Sequence, residues 1–226
     1  MKGTIVNVIA VIVGSSLGIF IGDKLPKRFK AVIIQAIGLF TFLIGTSMML
    51  KGEHFIIVFL ALILGGITGE ALRLEAHLTS VIERLKSRVS PGSPHFVEGF
   101  VTATLIFCVG AMTVVGSIQE GLTGDATLLY TKSVMDGITS LTLASSFGIG
   151  VIFSAGSVLV IQGSLTLLGS KLQFLTNPAY INNLTSVGGV LIIALGFELL
   201  KIRKIKILNL LPALVYAVLF LSLIHI

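Results

Sequence analysis

The chain has 226 residues, of which 54% are hydrophobic and 12% are charged, and its mean hydropathy is +1.05. A typical soluble domain carries about 25% charged residues, so this composition excludes a soluble surface and indicates an integral membrane protein. The net charge of +6 lies mainly in loop lysines and arginines, which indicates membrane topology and no nucleic-acid partner. Apolar runs of about 20 residues leave no room for a soluble catalytic domain.

Apolar runs separated by polar turns predict an all-α, polytopic transmembrane bundle of about eight spans, forming a single domain over residues 1–226. The predicted spans are about 3–22, 31–50, 55–72, 97–118, 133–154, 155–169, 184–200 and 207–226. The first run lacks an Ala-x-Ala cleavage site, so we expect a retained span rather than a cleaved signal peptide. The run 133–170 is divided near Ala155-Gly156-Ser157, and a single crossing there would give seven spans.

The longest polar stretch lies between the third and fourth predicted spans, at residues 73–96. Its apolar residues recur at helical spacing, with charged residues between them: Leu74, Leu78, Val81, Ile82 and Leu85. This pattern predicts an amphipathic helix at the cytoplasmic interface, ended by Pro91-Gly92-Ser93-Pro94.

The loop cations predict the orientation of the chain. With eight spans, three loops on one side hold 12 of the 16 cations: Lys24, Lys27, Arg28, Lys30, Arg73, Arg84, Lys86, Arg88, Lys201, Arg203, Lys204 and Lys206. The positive-inside rule makes this side cytoplasmic and places both termini outside. With seven spans, the loop Lys201–Lys206 would face outside with four cations, so the rule favours two crossings in 133–170.

Two short sequence similarities suggest internal repeats. Gly22-Asp23-Lys24-Leu25 resembles Gly169-Ser170-Lys171-Leu172, and Gly38 and Gly188 each precede a lysine by 13 residues. These matches pair spans 1–3 with spans 6–8 as an inverted repeat, which is a recurrent architecture of secondary transporters. A competing match pairs residues 14–18 with 144–148 in parallel spans, and matches this short also arise by chance.

Small residues occur at helical spacing in several spans, with glycines at positions 14, 18, 22, 65 and 69. Gly14, Gly18 and Gly22 form one face, and Gly65 and Gly69 form another. Such faces let helix backbones approach closely, so we interpret them as packing surfaces, which also favour a homo-oligomer. The Ser145-Ser146 pair and Gly148 are instead candidates for a broken helix that exposes backbone groups to a site.

Asp136 is the most informative acidic residue, because it is the one charge within 133–170. Acids within spans usually face a cavity or a partner and mark ion or proton pathways. Alternatively, Asp136 sits at the external interface and pairs with Lys132 at i−4. Ser140 would share its polar face, and Thr102, Cys108 and Gln162 are further candidates for lining a path. No metal or cofactor motif is found, so neither is expected.

Several stretches resemble a known bacterial family. They are Gly99–Met112, Val115–Asp125, Lys132–Gly137, Phe153–Ala155, Gln162-Gly163 and Gly188-Gly189. Together they resemble the membrane-protein family called domain of unknown function 554. The resemblance implies a prokaryotic cytoplasmic membrane protein of a kind usually described as uncharacterised or as a transport protein.

These observations favour a secondary transporter or channel for a small solute or ion. The alternative is a non-transporting scaffold or subunit of a membrane complex. We do not expect an enzyme, because the spans contain no Ser–His dyad, paired aspartates or metal cluster at useful spacing.

Overall fold

The computed structural model describes residues 1–224, except for the side chains of Lys27, Lys30 and Ile224. Within these residues the chain forms α-helices and two short 3-10 helices, with no β-strand, so the prediction of an all-α bundle is confirmed. The helices are α1 (Lys2–Asp23), α2 (Lys27–Met49), α3 (Phe55–Ala71), α4 (Leu74–Val89), α5 (Phe96–Cys108), α6 (Ala111–Thr123), α7 (Thr127–Phe147), α8 (Gly150–Leu167), α9 (Pro178–Leu199) and α10 (Ala213–Ile224). The last two positions of the predicted eighth span, His225 and Ile226, lie outside the described residues.

Four described helices are long and apolar enough to cross a membrane: α1, the Ala31–Met49 part of α2, α8 and α9. The number rises to six if each bent pair is one span, with α3 and α4 meeting at 62° and α5 and α6 at 58°. The two further crossings in the eight-span prediction are α7, which carries two charges and eight Ser or Thr residues, and α10, which has 12 residues. Eight spans therefore remains a prediction.

The surface of α1 is inverted relative to that of a soluble helix. Its buried face consists mainly of small and polar residues: Gly3, Thr4, Asn7, Val11, Gly14, Ser15, Gly18 and Gly22. Its exposed face carries large apolar side chains, including Ile5, Ile9, Val13, Leu17 and Phe20, each more than 50% exposed. In water this arrangement would be unfavourable, whereas in lipid it lets small residues mediate helix contacts.

The chain divides into two compact units, residues 1–34 with 83–176, and residues 35–82 with 177–226. In the first unit, α1 and α7 run parallel along their whole length. Gly14 lies against Gly137 and Ser140, and Gly18 against Leu141. A Cβ atom at either glycine would overlap a backbone oxygen of α7, so these glycines allow the two helices their close approach.

Contacts among α1, α8 and α5 show how these helices are oriented and which of their residues lie side by side. Thr4 meets Thr166, and Asn7 meets Gln162, so α8 runs antiparallel to α1. Phe96 packs against Gly150 of α8, and the Thr104 hydroxyl donates to Ser157. Helix α5 therefore runs parallel to α8. Its last residue, Cys108, lies at about the same height along α8 as Gln162.

The chain reverses direction in 133–170, as predicted, but at a different place. Helix α7 ends at Phe147, Gly148 has a φ of 74°, and α8 begins at Gly150. A φ of this sign is readily adopted by glycine and strained for other residues. The predicted turn at Ala155-Gly156-Ser157 is therefore wrong, and these residues lie inside α8.

The predicted fourth span is interrupted in the structure. Helix α5 ends at Cys108, and α6 begins at Ala111 after a bend of 58°. Gly110 precedes α6 in an extended conformation, with a ψ of 149°. Because the apolar run is continuous, the sequence pattern predicted one straight helix here.

In the second unit, α2 packs antiparallel to α9, and α3 packs antiparallel to α10. Gly45 lies against Gly189, while Gly65 lies against Ala213. The apolar core includes five buried residues of α3, α9 and α10: Val58, Ala61, Val187, Ala213 and Ala217. At one end of α3, Glu70 accepts hydrogen bonds from Lys206 and Asn209.

Candidate functional site

A buried ion pair lies in α7. The Lys132 ammonium contacts Asp136 Oδ2 one helical turn away, and the two residues are 5% and 7% exposed. The i, i+4 spacing of a helix places both side chains on the same face. The pairing itself is the one expected at a membrane interface, but here both partners are enclosed by neighbouring helices.

Two amide side chains extend this pair to α1 and α8. Asn7 Nδ2 donates to Asp136 Oδ2 over 2.9 Å and to Gln162 Oε1 over 2.9 Å. Both Asn7 and Gln162 are 0% exposed. The amides therefore connect three helices around one carboxylate.

The network continues toward the N-terminal end of α1 through two hydroxyl groups. Gln162 Nε2 donates to Thr4 Oγ1 over 3.3 Å, and Thr4 Oγ1 lies 3.4 Å from Thr166 Oγ1. The Thr166 hydroxyl also donates to the backbone oxygen of Gln162. We call Lys132, Asp136, Asn7, Gln162, Thr4 and Thr166 the polar cluster.

The hydrogen bonds of the polar cluster fix the orientation of Asn7. If its amide were flipped, its oxygen would face the Asp136 carboxylate and Gln162 Oε1, which are both acceptors. The observed orientation leaves Asn7 Oδ1 buried without a hydrogen-bond partner among the described residues. An unmade hydrogen bond of this kind costs about 1–3 kcal/mol, so this oxygen is an open acceptor beside the ion pair.

The ion pair lies near the break between α5 and α6. Lys132 Nζ is 5.9 Å from the centroid of the Phe107 ring, and Phe107 is the penultimate residue of α5. The Thr113 hydroxyl of α6 donates to the Phe107 backbone oxygen over 2.7 Å. Lys132 therefore lies beside the end of α5, and the Thr113 bond joins the first turn of α6 to the same residue, Phe107.

A second buried carboxylate, Glu120 of α6, lies at the N-terminal end of α1. Its Oε1 atom accepts a 2.8 Å hydrogen bond from Gly3 N and lies 3.0 Å from the terminal amine of Met1. A carboxylate at this position is stabilised by the free N–H groups and the positive dipole of a helix start. Glu120 Oε2 is buried without a hydrogen-bond partner among the described residues.

The predicted site residues fall into separate places. Asp136 and Gln162 belong to the polar cluster, and Cys108 is buried at the end of α5. The Ser140 hydroxyl instead donates to Gly137 O, so it does not extend the polar cluster. The Thr102 hydroxyl is buried in α5 without a hydrogen-bond partner among the described residues.

The remaining predicted residues lie at the other end of α7. Ser145 donates to Thr142 O, Ser146 Oγ is buried without a partner among the described residues, and Gly148 forms the reversal. At about 1.5 Å per residue, Gly148 lies roughly 18 Å along the helix axis from Asp136. A role for these residues in a path stays a prediction.

The sequence interpretation missed much of the polar cluster. Lys132 and Glu120 lie outside the predicted spans 97–118 and 133–154, whereas in the structure both are buried in helices, α7 and α6. Thr4 and Thr166 carried no signal, because hydroxyl residues commonly bond to their own helix backbone. Asn7 and Gln162, amides within apolar spans, did give a signal, because such residues are expected to form hydrogen bonds between helices or to line a polar path, and the two are bonded to one another. Within the described residues no group of three or more His, Cys, Asp or Glu residues forms a metal site.

The inverted helix surfaces and the long apolar helices define a polytopic helical membrane protein. Residues 2–222 match the family described as "Protein of unknown function (DUF554)", so the chain belongs to this family and the resemblance is confirmed.

Two relatives cover almost the whole chain. The chain is 32% identical to "Uncharacterized membrane protein YdfK" of Bacillus subtilis over 229 residues, which cover 100% of the chain and 97% of the relative. It is 30% identical to "Uncharacterized protein YqgA" of Escherichia coli over 220 residues, which cover 95% and 94% respectively. No solved structure matches the chain.

Proposed function

We propose that the protein is a secondary transporter or channel for a small solute or ion in the cytoplasmic membrane of a prokaryote. The observation that carries this proposal is the buried Lys132–Asp136 pair beside the α5–α6 break. Charged groups within a membrane bundle are costly and usually serve an ion or substrate pathway. In this proposal the chain has no catalytic activity, and Asp136 is the group that responds to the transported species.

An inverted repeat of spans 1–3 and 6–8 would suit this function. Each proposed pair of counterparts packs antiparallel, as a two-fold axis in the membrane plane requires. Helix α1 meets α8 through Asn7 and Gln162, α2 meets α9 at Gly45, and α3 meets α10 at Gly65. These pairings support the repeat over a chance similarity.

The competing similarity between 14–18 and 144–148 has a simpler interpretation. These segments lie in α1 and at the C-terminal end of α7, which run parallel, and Gly18 packs directly against Ala144. Small residues are needed on both sides of such a contact. Small residues at Gly18 and Ala144 therefore have a packing role, which does not require a repeat.

The test is charge movement in proteoliposomes containing the full chain, recorded on a solid-supported membrane. Steps of pH, Na⁺, K⁺, amino acids and organic acids are applied to the wild type, Asp136→Asn and the exposed control Asp125→Asn. A solute-specific current that changes in Asp136→Asn and persists in Asp125→Asn supports the proposal. Identical currents and tracer fluxes in all three proteins would remove Asp136 from the mechanism.

A docking function is the second candidate, and exposed cations on α4 favour it. Arg84 and Arg88 are exposed near the end of this amphipathic helix, and Lys86 is half-buried. Neutralising all three cations should release a stoichiometric partner if the protein is a scaffold or subunit. Transport activity that survives this triple change would favour the first proposal.

A further inference from the structure

The charges of the polar cluster restrict what it can bind. Lys132 and Asp136 neutralise one another, and the residues that α1 and α8 contribute, Asn7 and Gln162, are uncharged. A ligand that enters between the charges must replace both halves of the pair or leave a buried charge without a partner, which is strongly unfavourable. A simple anion would strand Asp136, and a simple cation would strand Lys132.

The acceptor side of the polar cluster is incomplete without a hydrogen-bond donor. Asn7 Oδ1 belongs to a fully buried side chain whose amide nitrogen is already bonded to Asp136. This oxygen has no hydrogen-bond partner among the described residues. An ammonium group carries several N–H donors and a positive charge, so one such group satisfies both the Asp136 carboxylate and Asn7 Oδ1.

Lys132 supplies the donor side of the polar cluster, and the start of α6 lies next to Phe107, the residue beside Lys132. A lysine ammonium has three hydrogens, of which the contact with Asp136 occupies one. Phe107, whose ring centroid lies 5.9 Å from Lys132 Nζ, is joined to the first turn of α6 by the 2.7 Å hydrogen bond from the Thr113 hydroxyl to its backbone oxygen. The first N–H groups of a helix and its positive dipole favour an anion, so a carboxylate fits between Lys132 and this helix start.

We propose that the polar cluster binds a small zwitterion of the amino-acid class. The ligand's ammonium group bonds to Asp136 and Asn7 Oδ1, and its carboxylate bonds to Lys132 and the start of α6. The Lys132–Asp136 contact opens as the ligand enters, and the neutrality of the polar cluster is preserved. This inference rests on the proposed transport function and names its substrate class.

The first experiment measures binding by thermal unfolding of the full-length wild type in detergent. The chain has one cysteine, Cys108, which is buried, so a thiol-reactive fluorophore reports unfolding directly. Three matched probe sets are compared: amino acids, the amines that lack their carboxylate, and the carboxylic acids that lack their amine. Alanine, ethylamine and propionate are one such trio. We expect a concentration-dependent rise of the unfolding temperature with one or more amino acids and none with the matched amine or acid.

The second experiment tests the assigned groups by affinity, using an amino acid that binds the wild type. Asp136→Asn, Lys132→Gln and Asn7→Leu should each weaken binding by about tenfold or more, as loss of a hydrogen bond to a charged group does. Asp125→Asn, at an exposed site, should leave the affinity unchanged. Unchanged affinity in all three cluster variants would overturn the assigned site, and the wild-type probe comparison stands even if a variant fails to fold.

The outcomes separate this inference from the proposed function. Stabilisation by amines alone or by acids alone overturns the zwitterion while leaving transport in place. No response to any of the three probe sets also overturns it, and the proteoliposome measurement then decides independently whether the protein transports anything. Amino-acid binding without amino-acid flux supports the zwitterion site and contradicts the transport proposal.

Discussion

Asn7 of α1 and Gln162 of α8 are 155 positions apart in the sequence, and Asn7 Nδ2 donates to Gln162 Oε1 over 2.9 Å. The same nitrogen donates to Asp136 Oδ2, so one side chain holds two neighbouring helices to a buried carboxylate. Because these bonds lie in a non-aqueous interior, no solvent replaces a missing partner. Asn7 should therefore be important for stability as well as for ligand binding.

Asn7→Leu should lower the free energy of unfolding by about 1–3 kcal/mol, because Asp136 and Gln162 each lose a buried donor. The control is Ser16→Ala on the exposed side of α1, where the hydroxyl bonds only to its own helix at Ile12 O. This change should stay within about 0.5 kcal/mol of the wild type. Unfolding followed through Cys108 gives both values, and equal effects would show that the contacts of Asn7 contribute nothing particular.

The Lys132–Asp136 pair should show strong coupling in a double-mutant cycle. Lys132→Met and Asp136→Leu each leave a buried charge unpaired, and each should destabilise by about 3–5 kcal/mol. The double variant removes both charges and should be more stable than either single variant. Unfolding of the four proteins gives the coupling energy. Additive losses would mean that the two charges do not depend on one another in the folded protein.

The sequence identified the helical membrane bundle because hydropathy reports directly on helix length and lipid contact. It did not show the break at Gly110, since an uninterrupted apolar run carries no information about the course of the backbone. The reversal was placed about seven residues too late, at Ala155-Gly156-Ser157. The sequence analysis treated Gly148 as a candidate helix break and placed the turn at Gly156, because glycine serves both turns and packing and its role at each position depends on the tertiary fold.

The candidate site was partly predictable. Asp136 stood out because a charge within an apolar run is rare, and Gln162 stood out for a similar reason. The pairing of Lys132 with Asp136 was one of the expectations, but its burial was not, because the i, i+4 relation fits a solvated helix end as well as a buried pair. The contacts of Asn7 depend on how α1, α7 and α8 pack together, which sequence spacing cannot reveal.

Replacement of glycine by alanine should have different effects on stability at Gly18, in the close contact of α1 and α7, and at Gly156, inside α8. In Gly18→Ala, the new Cβ would overlap the backbone oxygen of Leu141, so the variant should be clearly destabilised. Gly156 lies inside α8, and no neighbouring atom lies within 4 Å of the point where an alanine Cβ would stand. Gly156→Ala should therefore be neutral or stabilising by up to about 1 kcal/mol, since glycine is unfavourable within helices. Equal unfolding temperatures for the two variants would contradict the close packing.

The turn before α7 should be sensitive to acid. Hydrogen bonds from the Thr127 hydroxyl and backbone lower the pKa of the exposed Asp125 carboxyl below its ordinary value, with a further bond from Gln119. A lowered pKa means that the carboxylate stabilises the fold above its ordinary pKa, and this contribution is lost as the pH falls through the folded value. Thr127→Val should raise the pKa of Asp125 in an NMR titration. Thr131→Val, which removes an exposed hydroxyl bonded to Thr127 O, is the control and should leave it unchanged.

The proposed orientation predicts which loops an impermeant thiol reagent reaches in intact cells. In a Cys108→Ser background, single cysteines replace three exposed residues: Lys51, Arg88 and Lys204. The positive-inside rule places the loops of Arg88 and Lys204 in the cytoplasm and Lys51 outside. Lys51→Cys should therefore be labelled in intact cells, and the other two only after permeabilisation.

Labelling of Lys204→Cys in intact cells, with Arg88→Cys protected, would mean that 133–170 crosses once and that α7 and α8 do not both traverse the bilayer. The antiparallel contact of α1 with α8 and the parallel contact of α1 with α7 favour the two-crossing result, because α7 and α8 then run in opposite directions across the same membrane.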